Sequence, residues 1–480
     1  MESLKRIISA RNLTFQPEND ELFETVSEVL NPIVMKFGGT SVENEAAFTR
    51  VAEIVGSRVH QKSVVVVSAM SKMTDALLTA FETARKGDAD AAFTTLEPHF
   101  ERHVSVAENL LTNEQKTAFA RELMQSREEL QELLERTARR SLPIQLLKDM
   151  IVAYGEQLSS YLLALVCRAK GVNAVHKDAR RLIVTDDEHG AASPIFEETN
   201  PLLEVELTPH LNAGEIPVMG GFIAATRNGE TTVLERGGSD FTAAIVGAAL
   251  NAAEIQIWTD VTGVLTTDPR IVPEARTLPV LSYEEAAELS YFGAKVLHPK
   301  TILPAVAKKI PVRVCNSREP DAAGTMILAE TEETPNLIKS IAYKKGITIL
   351  RITSARMLGA YGFMSMLFQT FERFRTVIDV VATSEVSVSL TIDNTDSLEQ
   401  LVNELRRFGE TEVESNNAVV CVVGDGLRST PGVAARIFNT ISDINVSLVS
   451  HGASSVNFTF VVKETDVFET VKRLHQEFFA

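Results

Sequence analysis

The sequence predicts an α/β fold: a three-layer αβα sandwich with a mostly parallel sheet over residues 33–335, followed by two small α+β modules of ferredoxin-like type. Three observations predict it. β-Branched runs alternate with long helical stretches up to about residue 330. Those runs are apolar on both faces, as strands covered on both sides must be. From about residue 340 the units shorten, and a stretch repeats itself. LFQTFERFRTVIDVVATSEVSVSLTI, from Leu367, aligns without a gap to IFNTISDINVSLVSHGASSVNFTFVV, from Ile437. Phe368/Phe438, Thr370/Thr440, Ser384/Ser454 and Val386/Val456 are identical, and each copy reads as helix, strand, turn, alternating strand.

Taken in order, residues 1–32 form an N-terminal extension. Within it ELFETVSEVL puts Leu22, Phe23, Val26, Val29 and Leu30 on one helical face, and Pro32 closes the segment. IVMKF (33–37), SVVVVSAM (63–70), EIPVMGGFIA (215–224), EIQIWTDV (254–261) and IPVRVCN (310–316) read as strands. Residues 100–140 and 143–170 read as helices, the second with Pro143 in its first turn. The paired modules divide as 340–412 and 413–480, and a duplicated unit of this size suits a paired binding unit better than a second catalytic centre. Neither a GxxxxGK[ST] loop nor a GxGxxG fingerprint occurs.

The 480 residues exceed one ordinary core. A net charge of −17 argues against general nucleic-acid or anionic-membrane binding, so anionic ligands require local basic pockets. Cys167, Cys315 and Cys421 have no zinc or CxxC spacing and read as buried, reduced thiols. No signal-peptide pattern or apolar stretch of membrane-spanning length is read, so the cytoplasm is the expected location.

Five stretches carry chemistry. In IVMKFGGTSV, Lys36 sits at a strand end before Gly38 and Gly39, where backbone N–H groups can approach phosphate. In TTVLERGGSDFTAA, a glycine turn opens a helix. Arg236 there can grip a carboxylate through two parallel bonds. Asp240 is either a plain N-cap or a group orienting a substrate amine or a hydrated Mg²⁺. In IWTDVTGVLTTDPR, a loop beyond Thr259 and Asp260 runs to Arg270 and can hold a base and ribose, while Trp258 reads as core. In YFGAKVLHPKT, Lys295 beside a glycine suits phosphate, and His298 before Pro299 reads as structural. In AYGEQLSSYLLAL, Glu156 is either an exposed acid or the partner of a substrate ammonium, and periodicity does not separate the two. Two glycine turns, spaced cations and no metal cluster point to phosphoryl transfer, which needs positioning and charge neutralisation rather than a covalent nucleophile.

KFGGTS, GGSD, TDPR and FGAKVLHP, in this order, resemble aspartate kinases of the amino-acid kinase superfamily, from about residue 33 to the C-terminus. The C-terminal repeat resembles that family's paired ACT modules, and SEVSVSLTID is most similar to the lysine-sensitive, monofunctional type; the end at Ala480 leaves no room for a fused homoserine dehydrogenase. The resemblance implies transfer of the ATP γ-phosphate, with Mg²⁺, to L-aspartate, giving 4-phospho-L-aspartate and ADP. It implies Lys36 and Asp240 as catalytic groups and Ser68, Thr74, Glu156, Arg236 and Ser239 at the substrate. Lys36, Gly38, Gly39, Thr259, Asp260, Arg270 and Lys295 would contact ATP, Gly38 and Gly39 through their N–H groups. Met357, Gly362, Phe363, Met364, Asp379, Thr383, Ser384 and Glu385 would hold a lysine effector, and a homodimer or larger assembly is implied. The chain departs from the family pattern at Glu235, Leu265 and Ala360, where relatives carry glycine, tyrosine and serine.

Overall fold

The computed structural model describes residues 31–235, 237–293, 299–331 and 337–480. The helix expected at 21–30 lies outside the described residues. An eight-stranded sheet runs in the order Ala174–Lys177, Ile216–Gly220, Ser63–Val67, Ile33–Phe37, Glu254–Thr259, Val312–Asn316, Thr325–Leu328, Val280–Ser282. Every neighbouring pair is parallel except Val312–Asn316 with Thr325–Leu328. Parallel strands need crossovers and coverage on both faces. Helices Glu45–Gly56, Met73–Arg85, Asn113–Arg139 and Tyr154–Ala169 supply one core, with Met35 and Phe37 of the central strand. Helices Phe196–Asn212, Gly238–Ala249 and Tyr283–Tyr291 supply the other, with Val34. The three-layer prediction holds. Trp258 is buried and stacked on Phe37, with ring centroids 5.8 Å apart.

Three local expectations change. EIPVMGGFIA is two strands in different sheets, Ile216–Gly220 and Ile223–Thr226, because Phe222 adopts φ +66° and turns the chain. The 100–140 helix breaks at Thr112, whose hydroxyl and Gln115 form a reciprocal capping box. Residues 144–169 are, by length and composition, apolar enough to span a membrane, contrary to the sequence reading. They form two helices, Ile144–Val152 and Tyr154–Ala169, and 83% of that apolar window is buried inside the protein.

The C-terminal region is one antiparallel six-stranded sheet in the order Val381–Thr383, Ser387–Ile392, Ile338–Thr353, Glu410–Gly424, Asn457–Lys463, Val446–His451. The repeat is visible in detail. Helices Phe363–Arg373 and Val433–Thr440 both start after a left-handed glycine, Gly362 at φ 83° and Gly432 at φ 86°. The cores do not follow a linear cut at residue 412. Ile338 and Ile341 pack with Ala418, Val420 and Val422, whereas Leu350 and Ile352 pack with Leu367, Phe371 and Val388. Strands Ile338–Thr353 and Glu410–Gly424 therefore each run through both modules, with irregular register between Lys344 and Ile349.

Candidate active site

The sheet's carboxyl ends open into a cleft of about 550 Å³. This is where open α/β sheets bind ligands. Lys36, Gly38, Gly39, Ser68, Thr74, Glu156, Ser239, Asp240, Thr259 and Asp260 all line it, so segments more than two hundred residues apart in sequence converge.

One end is built on Lys36. Its Nζ lies 2.8 Å from Asp240 Oδ1, with both side chains largely shielded. Asp240 is thus a salt-bridge partner at the start of helix Gly238–Ala249, and its side chain makes no N-cap bond. Gly237 at φ +80° turns the chain into that helix. At Gly238 a Cβ would come within 2.6 Å of the Phe222 ring. Gly39 has the same constraint, because a Cβ there would lie 2.9 Å from the Ala69 carbonyl. Gly38 departs from expectation: its N–H donates to the Trp258 carbonyl at 3.0 Å and is not free for phosphate. That bond instead ties the Lys36 turn to the strand ending at Thr259.

The other end is Glu156, and burial resolves the ambiguity left by periodicity. Its side chain is inside the protein, in the first turn of helix Tyr154–Ala169. Oε1 accepts the Ala69 N–H at 3.1 Å, while Oε2 is buried without a partner. Desolvation pushes its pKa up to about 8; the Ala69 N–H, its own N–H and the charge on Lys36 act in the opposite direction. Gly155 makes the close approach possible, since a Cβ there would sit 2.7 Å from Ala69 Cβ. Ser159 Oγ, one turn on, donates to the Ser68 carbonyl at 2.8 Å. The result is a buried carboxylate oxygen that an ammonium would satisfy.

Arg236, Lys295 and His298 lie outside the described residues. Arg270 is exposed and does not line the cleft. It is pinned to Asp268 (Nη2 to Oδ2, 2.7 Å), which also accepts the Tyr343 hydroxyl at 3.1 Å. Glu235 is exposed, lies 3.8 Å from Lys300 Nζ and does not line the cleft. Sequence reading missed Thr40, Met70, Lys72, Asp75 and Phe222 in the cleft wall. Their one visible signal was the paired glycine before Phe222. Among the described residues no histidine lines the cleft, and no group of three or more acid, His or Cys side chains is arranged for a metal.

The expected effector residues differ in burial. Phe363 is buried edge-on against Phe408, Met357 and Met364 pack on the neighbouring core of Leu367 and Phe371, and Thr383, Ser384 and Glu385 are exposed. The Asp379 carboxylate is buried against the α/β domain. It accepts the Tyr291 hydroxyl and lies 3.5 Å from Lys344 Nζ, which also meets Asp393 at 2.8 Å. Its second oxygen has no partner, and burial raises its pKa.

The comparisons assign this cleft and sheet to a kinase. The model of the amino acid kinase family matches residues 31–316, and that of an ACT domain matches 420–478. The chain belongs to the amino acid kinase family. It is 36% identical to lysine-sensitive aspartokinase 3 of Escherichia coli over 93% of this chain and 99% of that one. It is 38% identical to chloroplastic aspartokinase 3 of Arabidopsis thaliana over 93% of this chain and 81% of that one. The fold matches E. coli aspartokinase III in complex with aspartate and ADP (R-state) with a TM-score of 0.81 and 36% identity, covering 94% of this chain and all of that one. The same enzyme in complex with lysine and aspartate (T-state) gives 0.80 at the same identity and coverage. Within the family the chain is an aspartokinase (EC 2.7.2.4) with a C-terminal ACT region.

Proposed function

We propose that this aspartokinase transfers the γ-phosphoryl group of ATP, carried with Mg²⁺, to the β-carboxylate of L-aspartate, opening lysine, threonine and methionine synthesis, and that L-lysine restrains it through the ACT region. The observation that carries the reading is a single cleft with the Lys36–Asp240 pair at one end and the unsatisfied Glu156 oxygen at the other. Glu156 binds the α-ammonium of aspartate, with Ser68, Thr74, Arg236 and Ser239 completing the substrate site. Lys36 neutralises charge on the phosphoryl group in flight. The β-carboxylate is ionised at neutral pH, so no general base is needed. Gly39, Thr259, Asp260 and Lys295 serve ATP, and the Asp240 and Asp260 carboxylates suit its magnesium ion. E. coli aspartokinase III, which is 36% identical, has been solved with aspartate and ADP, and with lysine and aspartate, which supports both halves of the proposal. Met357, Gly362, Phe363, Met364, Thr383, Ser384 and Glu385 remain the proposed contacts of the effector, with Asp379 answering its ammonium.

We further propose a homodimer or larger assembly in the cytoplasm. Leu358, Tyr361 and Val377 of the ACT region are apolar and exposed in the single chain, with Tyr361 fully exposed. The test of function is ATP-dependent formation of aspartyl hydroxamate in the presence of hydroxylamine, with and without L-lysine. Product that falls as lysine rises is expected. Product with glutamate but not aspartate would overturn the acceptor, and product indifferent to lysine would overturn the effector.

A further inference from the structure

Between the two ends of the cleft the chain lays down a short ledge, Gly220-Gly221-Phe222. The first two residues leave no room for side chains. A Cβ at Gly220 would lie 3.1 Å from Glu156 Cβ, and one at Gly221 would lie 2.6 Å from Ser239 Cβ. The ledge therefore packs against Glu156 at its first residue and against Ser239 at its second. Its third residue is a half-buried phenylalanine that lines the same cleft.

Phe222 adopts φ +66°, a conformation bulky L-residues avoid and glycine takes freely. The surroundings enforce it at both peptide groups. Its N–H donates to Thr242 Oγ1 at 3.0 Å, and its carbonyl accepts the Leu234 N–H at 2.8 Å. Its ring rests on Gly238, where any Cβ would come within 2.6 Å of it. A strained conformation persists when its surroundings over-determine it, and such residues cluster at working sites. Glycine at this position would satisfy the backbone without strain, so the ring is what the strain holds in place.

We propose that Phe222 is the residue that measures the acceptor. Its ring lines the cleft that also holds Glu156 and the Lys36–Asp240 pair, and on this proposal it sets the room left for the acceptor, so that an acidic amino acid with one methylene before its carboxylate fits and one with two does not. Thr242 is the positioning residue behind it, its hydroxyl fixing the Phe222 peptide and also donating to the Gly238 carbonyl at 2.9 Å. The inference rests on the assignment of Glu156 as the ammonium anchor.

The test uses Phe222→Gly, which keeps the backbone conformation and deletes only the ring. kcat/KM is measured for L-aspartate and L-glutamate by hydroxamate formation, beside wild type, Phe222→Leu and Thr242→Val. The aspartate-to-glutamate ratio is expected to fall by about tenfold or more in Phe222→Gly, the scale at which a pocket discriminates one methylene. A fall of a few fold is expected in Phe222→Leu and Thr242→Val, which retain most of the packing and decide the matter should the glycine variant not fold. An equal loss for both substrates, or a ratio unchanged in every variant that folds, would overturn the proposal and leave Phe222 a packing residue. Glu156→Gln separates the two ideas. If it leaves the KM for aspartate unchanged, the anchor assignment fails; if it raises that KM while the Phe222 variants keep their ratio, only the measuring role fails.

Discussion

Glu156 sets a pH dependence whose sign follows from its burial. Its carboxyl is pushed up to about 8 in the ligand-free protein, so at neutral pH it is mostly protonated and must ionise to meet an ammonium. The KM for aspartate is expected to fall by up to about tenfold per unit as pH rises toward 8 and to level off above it. A flat KM between pH 6 and 8 would contradict this. Folding carries the opposite dependence. A carboxyl whose folded pKa is raised contributes stability that is complete below the ordinary carboxylate range and lost as pH rises through about 8. Melting temperatures of the ligand-free protein should therefore drop from pH 5 to 9 by more in wild type than in Glu156→Gln. Lys36 makes a different prediction. Its ammonium is the described cation bonded at the phosphoryl end, so Lys36→Ala should lower kcat about 10²–10³-fold, the cost of losing one preorganised charge. Near-normal turnover would remove it from the chemistry.

Among elements, strand Ile338–Thr353 and helix Tyr283–Tyr291 join the kinase sheet to the ACT region. Lys339 Nζ lies 2.8 Å from Glu285 Oε2, and both side chains are buried. The same Glu285 caps its helix through Ser282. Ile341 N–H donates to the Thr266 carbonyl at 2.8 Å, Thr267 Oγ1 donates to the Ile341 carbonyl at 2.9 Å, and Tyr343 reaches Asp268. One strand thereby holds both the helix that leads toward Lys295 and the loop after Asp260. Lys339→Met strands a buried carboxylate and should cost about 3–5 kcal/mol, read by urea unfolding. The double variant Lys339→Met/Glu285→Met should recover much of that loss, because an apolar pair replaces a buried ionic one at little net cost. Equal destabilisation in the single and double variants would show that the capping role of Glu285 dominates.

Across the whole molecule, Asp379 connects the proposed effector region with the kinase domain. Its carboxylate accepts the Tyr291 hydroxyl, and Lys344 lies over the Tyr291 ring, 4.9 Å from its centroid. Asp379→Ala is expected to weaken lysine inhibition with little change in the uninhibited rate. Tyr291→Phe, which leaves the ACT region intact, should shift inhibition in the same sense if that contact carries the coupling. Unchanged lysine affinity by calorimetry in Asp379→Ala would place the effector elsewhere. The ACT cores share two long strands, so a change at one module has a direct backbone route to the other.

Local chemistry made much of this legible in the sequence. Apolar runs on both faces announced a covered parallel sheet, and the repeat announced two related modules whose helices start on matching left-handed glycines. KFGGTS and GGSD, taken together, pointed to the cleft because glycine turns beside charges leave backbone N–H groups open to an anion, while the acid in AYGEQ stayed open between an exposed face and a substrate partner. What pattern could not decide depended on which distant groups meet. Gly38 spends its N–H on Trp258, Glu156 is buried with one oxygen unsatisfied, and Asp379 faces Tyr291. EIPVMGGFIA reads as one strand because the paired glycine is its one local sign of a turn, and a turn completed at a phenylalanine is rare. Thr242 and Leu234 hold it there, and both lie outside the stretch itself. The sequence by itself determined the kinds of element and the chemistry available. Tertiary structure decided which hydrogen bonds are already used and which charges lack water, because desolvation and partner choice are properties of the packed chain.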